Sequence, residues 1–367
     1  MALNKEIEIA RQVIKTDAYS MSIGELMNLY QNDELDIHPE FQRFFRWSLF
    51  QKVQFIESII LGIPIPPIFV SQNDEGVWDV VDGLQRLSTI FEFAGILKDE
   101  DENLLPPLVL QGTKYLPSLQ NKKWEDGDDP ENSFTSAQRL FVKRSKFDVS
   151  IMLRESDDKA KYELFQRLNT GGSLLSAQEV RNCIIVMINR DFFFWLKNLA
   201  TYESFQECVT LTDKALSEQY DLELVLRFVL FRQMTEEELS EIKDVGEFVT
   251  EKMMSVLSDQ DIDYEAEESV FKATFDYIFS SLENSAFRRY VPSKEKFYGG
   301  FLLSAFEVIA FGVGFNDGNI DYEHEDFINQ VKELWANPDF TNWSGSGVRA
   351  SSRLPRLLTL GRQLFAQ

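Results

Sequence analysis

The stretch IPIPPIFVSQNDEGVWDVVDGLQRLSTIFEFAG, residues 63–95, constrains the fold more than any other part of the chain. Pro64, Pro66 and Pro67 force an extended entry into the β-branched run IFVS. Asn73, Asp74, Glu75 and Gly76 supply turn residues, VWDVV reads as a second strand, and the pair predicts a β-hairpin. Asp82-Gly83 closes that strand, and Leu84, Leu87, Ile90, Phe91 and Phe93 then recur at helical spacing. A helix fed directly by a strand through a glycine carries unpaired amide donors and a partial positive charge at its start, which suits an anion such as phosphate.

The flanking segments extend the same alternation. Ile23, Leu26, Met27 and Tyr30 fall on one helical face, and an extended piece, LDIHPEFQRFFRW, follows. Ser48 with Gln51 is a capping-box signature for a helix carrying Val53, Ile56, Ile59 and Ile60 and ending near Gly62. From about Lys98 to Thr135 the periodicity dissolves into acidic, Pro- and Asn-containing chain, read as a surface insertion. FDVSIML predicts a further strand; residues 158–188 predict a helix, the tight loop NTGGS, and a helix opened by Ser176 and Glu179. Beyond Asp191 the pattern is mainly helical, with no alternating run long enough for another sheet. A length of 367 residues is too great for one ordinary core. The expected organisation is an α+β chain: a mixed α/β domain over 1–190, and a helical domain over 191–367.

Composition excludes several chemistries. The formal charge of −23 repels phosphate backbones at long range, so DNA can be held only through a local basic patch and with strong salt dependence. Thirteen acids against Lys243 and Lys252 fill residues 235–269, whereas Arg349, Arg353, Arg356 and Arg362 sit in an acid-free tail, a candidate anion-facing segment. Two histidines, His38 and His324, are too few for the His-based zinc, triad and His-Asn-His nuclease sites. Asp259, Asp261 and Asp263 begin like an EF-hand, but Tyr264 and Val270 stand where Gly and Glu are required. Cys183 and Cys208 form no CxxC pair and fit a reducing compartment. The N-terminal residues show no signal-peptide pattern, and the apolar run Phe301–Phe315 is interrupted by Glu307 and too short for a bilayer. The expected location is the cytoplasm, with no membrane partner.

Three places could carry chemistry. At VVDGLQRLSTI, Gly83 permits close approach to the backbone, Arg86 can fork onto phosphate oxygens, Gln85 can bond a base, ribose or water, and Asp82 can hold a divalent cation or orient water. The plainer alternative makes Asp82 an N-cap, Gln85 its capping partner and Arg86 a solvated side chain. At FQRLNTGGSLLSAQEVRN, Arg167, Asn169, Thr170, Arg181 and Asn182 surround Gly171 and Gly172; the alternative is that one of these glycines is a left-handed helix cap, which needs no ligand. In PEFQRFFRW, Gln42, Arg43 and Arg46 lie among Phe41, Phe44, Phe45 and Trp47; the arginines can stack on a base or clamp phosphate, or pair with acids at a sheet edge.

Taken in order, IHPEFQRFFRWSLFQKVQFIESIILGIPIPPIFV, DVVDGLQRLSTI and YELFQRLNTGGSLLSAQEVRN resemble the N-terminal domain family of GmrSD-type restriction enzymes over roughly residues 20–190. That resemblance implies a ParB/sulfiredoxin-like nucleotide-binding fold, and nucleoside triphosphate binding and hydrolysis with Mg2+ in systems that restrict phage or modified DNA. Together with the chemistry of the three motifs, it gives the expected sites: catalysis on Asp82, Gln85 and Arg86, the metal on Asp82, and nucleotide on Gln42, Arg43, Arg46, Gly83, Asn169, Thr170, Gly171 and Arg181. The family's usual DGQQR reads DGLQR here, with Leu84 in place of a polar residue. Long members carry a His-Asn-His nuclease domain, for which this chain lacks the histidines, so nuclease activity is expected to be absent or to belong to an effector partner. A non-enzymatic nucleotide sensor or DNA-binding adaptor remains the alternative.

Overall fold

A computed structural model describes residues 16–37, 47–73, 75–99, 101–153, 176–259, 262–316, 324–345 and 347–366. The chain divides into two compact units, Met1–Leu174 and Leu175–Gln367.

The first unit is built on a five-stranded mixed sheet, in the order β1 (Thr16–Ser22), β5 (Lys146–Met152), β3 (Ile68–Gln72), β4 (Trp78–Asp82), β2 (Leu35–Asp36). β3 and β4 form the expected antiparallel hairpin, in which the Asn73 side-chain oxygen accepts the N–H groups of Glu75 and Val77. β5 runs parallel to β3 and antiparallel to β1, and β2 runs parallel to β4. The register slips between Phe69 and Val70, which pair with Asp82 and Val80 and leave Val81 as the extra residue of a bulge.

Among the described residues of this unit, four α-helices accompany the sheet: α1 (Ile23–Gln31), α2 (Leu49–Leu61), α3 (Leu84–Phe93) and α4 (Ser136–Arg144). The capping box at Ser48 and Gln51 starts α2, and Gly62 at φ 67° ends it. α1, α2 and α3 turn their apolar stripes inward: Ile23 and Leu26, Val53 and Ile56, Leu87 and Phe91 are buried with Ile68, Val70 and Val149 of the sheet, whereas α4 buries only Val142. Tyr30 stacks on Phe91 at 4.4 Å between ring centroids.

The stretch read as a surface insertion is irregular but anchored. Leu108, Leu110, Leu119 and Phe134 are buried, and Phe93 meets Trp124 and Phe134 edge-on at 5.5 and 5.1 Å. Isolated apolar residues spaced without a period hold it down, which is why no periodic signal announced them.

The second unit is helical as expected: α5 (Ala177–Ile188), α6 (Arg190–Ala200), α7 (Glu203–Val209), α8 (Asp213–Ser217), α9 (Tyr220–Phe231), α10 (Glu236–Ser240), α11 (Val245–Asp259), α12 (Tyr264–Leu282), α13 (Leu303–Phe315), α14 (His324–Leu334), α15 (Pro338–Thr341) and α16 (Ala350–Leu364). A short hairpin of β6 (Arg289–Val291) and β7 (Lys296–Tyr298) adds a sheet that the periodicity did not foretell; three-residue strands give no alternation to read. α5, opened by the Ser176–Glu179 capping box, belongs to this unit. The abundant phenylalanines build its core, where Phe228, Phe271 and Phe275 lie within 4.6–5.6 Å of one another. α13, the apolar run of the sequence, is buried from Ser304 to Gly314. Among the described residues no helix is long and apolar enough to cross a membrane.

Two of the four tail arginines, Arg353 and Arg362, depart from the expected anion-facing array, while Arg349 and Arg356 are exposed. Arg353 is locked in a two-point pair with the buried Glu307 at 2.7 and 2.9 Å. Arg362 donates to the carbonyls of Phe231 and Arg232 and lies 4.4 Å from the Phe315 ring centroid. α16 packs on α13 through Leu354, Leu357, Leu358 and Gly361, and arginines flanking that stripe are drawn inward.

Candidate functional site

The strand-to-helix junction is formed by Asp82, Gly83, Leu84, Gln85 and Arg86. Gly83, not Asp82, is the N-cap of α3, at φ 106° and ψ 6°, and no side chain caps the helix there. A Cβ on Gly83 would stand 2.5 Å from Ile68 Cγ2, so both the left-handed backbone and the packing against β3 require glycine. The close approach that the sequence suggested is thus made by a side chain of the neighbouring strand. The uncapped start of α3 leaves its first amides without the side-chain acceptor that begins α2 or α5.

Arg86 is not a solvated side chain. Its guanidinium donates to the carbonyls of Pro66 and Pro67, and to Asp82 Oδ2 at 2.8 Å, in a side chain only 11% exposed. Burial lowers its pKa from the ordinary arginine value, and the Asp82 carboxylate works against that shift. The proline-rich entry to β3 leaves carbonyls that no strand partner collects, and Arg86 collects two of them. Asp82 keeps 47% of its side chain in solvent while bound to Arg86.

Gln85 is turned to a different task. Its side-chain oxygen accepts the backbone N–H of Trp47 at 2.8 Å. Trp47 packs edge-on against Phe55 of α2, at 5.3 Å. Leu84, where the family has a polar residue, is buried. Trp47 and the Pro66 and Pro67 carbonyls were missed by sequence reasoning, since a backbone group has no residue type to betray it. Asp79, also missed, is buried and partnered, opposite Ser71 of β3 and Asp36 of β2; an acid midway along VWDVV was the available signal.

The other expected site residues separate into two groups. Gln42, Arg43, Arg46, Asn169, Thr170 and Gly171 lie outside the described residues. Arg181 lies within the second unit and is nearly fully buried. Its Nε donates to Gln178 at 2.8 Å, and its terminal nitrogens reach Glu223 at 3.1 Å and the Gly246 carbonyl at 3.5 Å. β5 ends at Met152 beside Ser71, at the opposite end of β3 from the residue facing Asp82, and the second glycine motif follows that end in sequence.

Among the described residues no three His, Cys, Asp or Glu side chains gather as a metal site. A Mg2+ ion carried on phosphates needs only one or two carboxylates from protein, and Asp82, half exposed beside the uncapped helix, fits that demand. Cys183 and Cys208 are buried, and burial raises both thiols, that of Cys208 to about 12, so neither is a nucleophile at neutral pH.

A mixed sheet feeding a helix through a left-handed glycine, with an arginine folded back to its own aspartate, defines an α+β domain of the D-G-x-Q-R type. Residues 23–186 match the family model described as GmrSD restriction endonuclease, N-terminal domain, and this segment belongs to that family. No curated protein and no solved structure matches the chain.

Proposed function

We propose that the first unit binds, and hydrolyses, a nucleoside triphosphate in a restriction or phage-defence system. The observation that carries this reading is the start of α3: a helix N-terminus without a side-chain cap, beside a half-exposed carboxylate. The amides of the first turn would receive phosphate oxygens, as helix starts do elsewhere. Asp82 would hold Mg2+ borne by the phosphates, and the ion would supply charge neutralisation for the leaving phosphate. Arg86 acts through Asp82, whose carboxylate it fixes, and so is a positioning residue rather than a phosphate ligand. The Gln85 oxygen is engaged by Trp47, which leaves its NH2 as the group that can meet nucleotide or water. Gln42, Arg43, Arg46, Asn169, Thr170 and Gly171 are carried as nucleotide contacts by the family motifs alone. Arg181, with its guanidinium tied to Gln178 and Glu223, would act by holding α5 in place.

A second reading is supported by the same residues. Gln85 and Arg86 both serve protein groups, and Leu84 replaces a polar residue, as suits a nucleotide sensor or DNA-binding adaptor that recruits an effector without turnover. Phosphate release from each of the four nucleoside triphosphates with Mg2+, in wild type and Asp82→Asn, tests the first reading. Turnover in wild type that collapses in the variant supports it. Tight binding of a non-hydrolysable analogue without turnover favours the sensor, and neither binding nor turnover overturns both nucleotide readings. Filter binding over a salt series then examines the DNA adaptor, because phosphate contacts make affinity fall steeply with salt.

A further inference from the structure

The acidic run 235–269 opens with α10, which walls a groove of about 340 Å³ together with α15 and α16 in the second unit. Leu239, Leu360 and Pro355 give it an apolar floor. Trp343 forms one side, and Glu236 and Asp339 stand at the rim. The guanidinium of Arg356 lies over the Trp343 ring, 3.9 Å from its centroid. Arg356 is exposed, and neither it nor the two rim acids forms an ion pair among the described residues.

This combination is a guanidinium seat occupied by the chain's own arginine. An indole face attracts a cation through its quadrupole, an apolar floor accepts the methylene stem, and carboxylates at the rim take the N–H donors. Arg356 sits on the ring without an ion pair to either acid, and Glu236 also feels the charge of Arg362. The surroundings select the sign of the ligand. Glu236 and Asp339 at the rim attract a basic segment and repel a phosphate backbone, and the acid-rich run that α10 opens adds to that field. A nucleobase could also stack on Trp343, but it would bring its phosphate towards that field.

We propose that this groove binds an arginine side chain presented by a basic segment of a partner protein, and that Arg356 is the internal occupant it displaces. An exposed side chain changes rotamer in picoseconds to nanoseconds, so the displacement imposes no kinetic barrier. Displacing Arg356 costs the stacking that it gives up, in addition to the ordering cost that any peptide pays on binding. The groove lies within the second unit, and its ligand is independent of any nucleotide bound beside Gly83.

The sign of the effect of Arg356→Ala is the test. The probe is an acetylated, amidated Gly-Arg-Gly-Arg-Gly-Arg-Gly peptide, titrated calorimetrically into the full chain at low salt and again at high salt. Removing Arg356 vacates the ring and should tighten binding by about tenfold, the size of one cation–π contact. Adding Trp343→Ala to that variant should cancel the gain, and the lysine counterpart of the peptide should bind more weakly. Glu236→Gln with Asp339→Asn, at exposed positions that leave folding intact, should weaken binding several-fold and flatten its salt dependence. Unchanged or weaker binding in Arg356→Ala overturns the proposal, as does preference for a single-stranded oligonucleotide over the peptide.

Discussion

The side-chain oxygen of Gln85 accepts the backbone N–H of Trp47 at 2.8 Å, across 38 residues of sequence. This bond ties the end of the PEFQRFFRW motif to the first turn of α3, so two family motifs are joined by a protein-to-protein contact. Gln85→Ala should leave the Trp47 amide without its acceptor and cost about 1 kcal/mol of stability. Amide hydrogen exchange reads this directly: protection at Trp47 should fall while protection across α2 persists. Unchanged protection would show that the bond does not hold the segment.

Gly83 is constrained twice, by φ 106° and by Ile68. Gly83→Ala should therefore destabilise the first unit by about 3 kcal/mol, from left-handed strain and from overpacking together. Denaturant melts of the variant and of Gly83→Ala/Ile68→Ala separate the two. The double variant should regain the part owed to overpacking relative to Ile68→Ala alone, and the strain should remain.

Arg86 shows how far the site could be read from the sequence. The hairpin, the glycine and the helix after it were legible, because Pro, Asn and Gly at those positions state their backbone preferences and the apolar period states the helix. The direction of a long polar side chain has no such signature. Treating Arg86 as a phosphate ligand predicts that Arg86→Ala changes melting temperature little. Its burial against the Pro66 and Pro67 carbonyls reverses that expectation. The same limit hid Arg353 and Arg362, whose inward turn depends on partners far away in sequence. β1 was also hidden, since five of its seven residues are exposed and TDAYSMS has no apolar alternation at the sheet edge.

Arg86→Ala should accordingly lower stability by about 2–3 kcal/mol, through two carbonyls left without donors and the loss of a packed side chain. Arg86→Lys should recover only part of this, because an ammonium cannot span both carbonyls and Asp82 in one plane. Chemical denaturation of the three proteins checks the order wild type, lysine, alanine. If Arg86 positions Asp82, the lysine variant should also lose turnover more than nucleotide affinity.

Glu238 closes the capping box of α10 with Thr235 and pairs with Lys252 at 2.8 Å. The Lys252 bond, with the N–H of Thr235, brings its pKa down from 4.5 to about 2. A depressed carboxylate stabilises the fold above its unfolded value, and that contribution fades as pH falls from about 4.5 towards 2. The side chain is 40% exposed, so solvent screening keeps the effect to a fraction of what the shift alone would give. The stability difference between wild type and Glu238→Gln should be level above pH 5 and narrow below it; a difference constant with pH would show that the Lys252 pair does not form in solution.

Glu307 and Arg353 form a two-point charge pair inside the helical unit, with the glutamate 1% exposed. Burial raises the Glu307 pKa, and Arg353 acts against that rise. Removing one partner strands the other, so Glu307→Ala should cost about 3–5 kcal/mol. Replacing both with leucine removes the desolvation penalty along with the attraction and should restore most of that loss. A carboxyl pKa raised on folding has a pH consequence with the opposite sign to Glu238. Any stability owed to the protonated form of Glu307 is complete below the unfolded value and is lost as pH rises through the folded one. Wild type compared with the double leucine variant should therefore lose relative stability on going from acid to neutral pH. A pH-independent difference would mean that Arg353 fully compensates the burial of its partner.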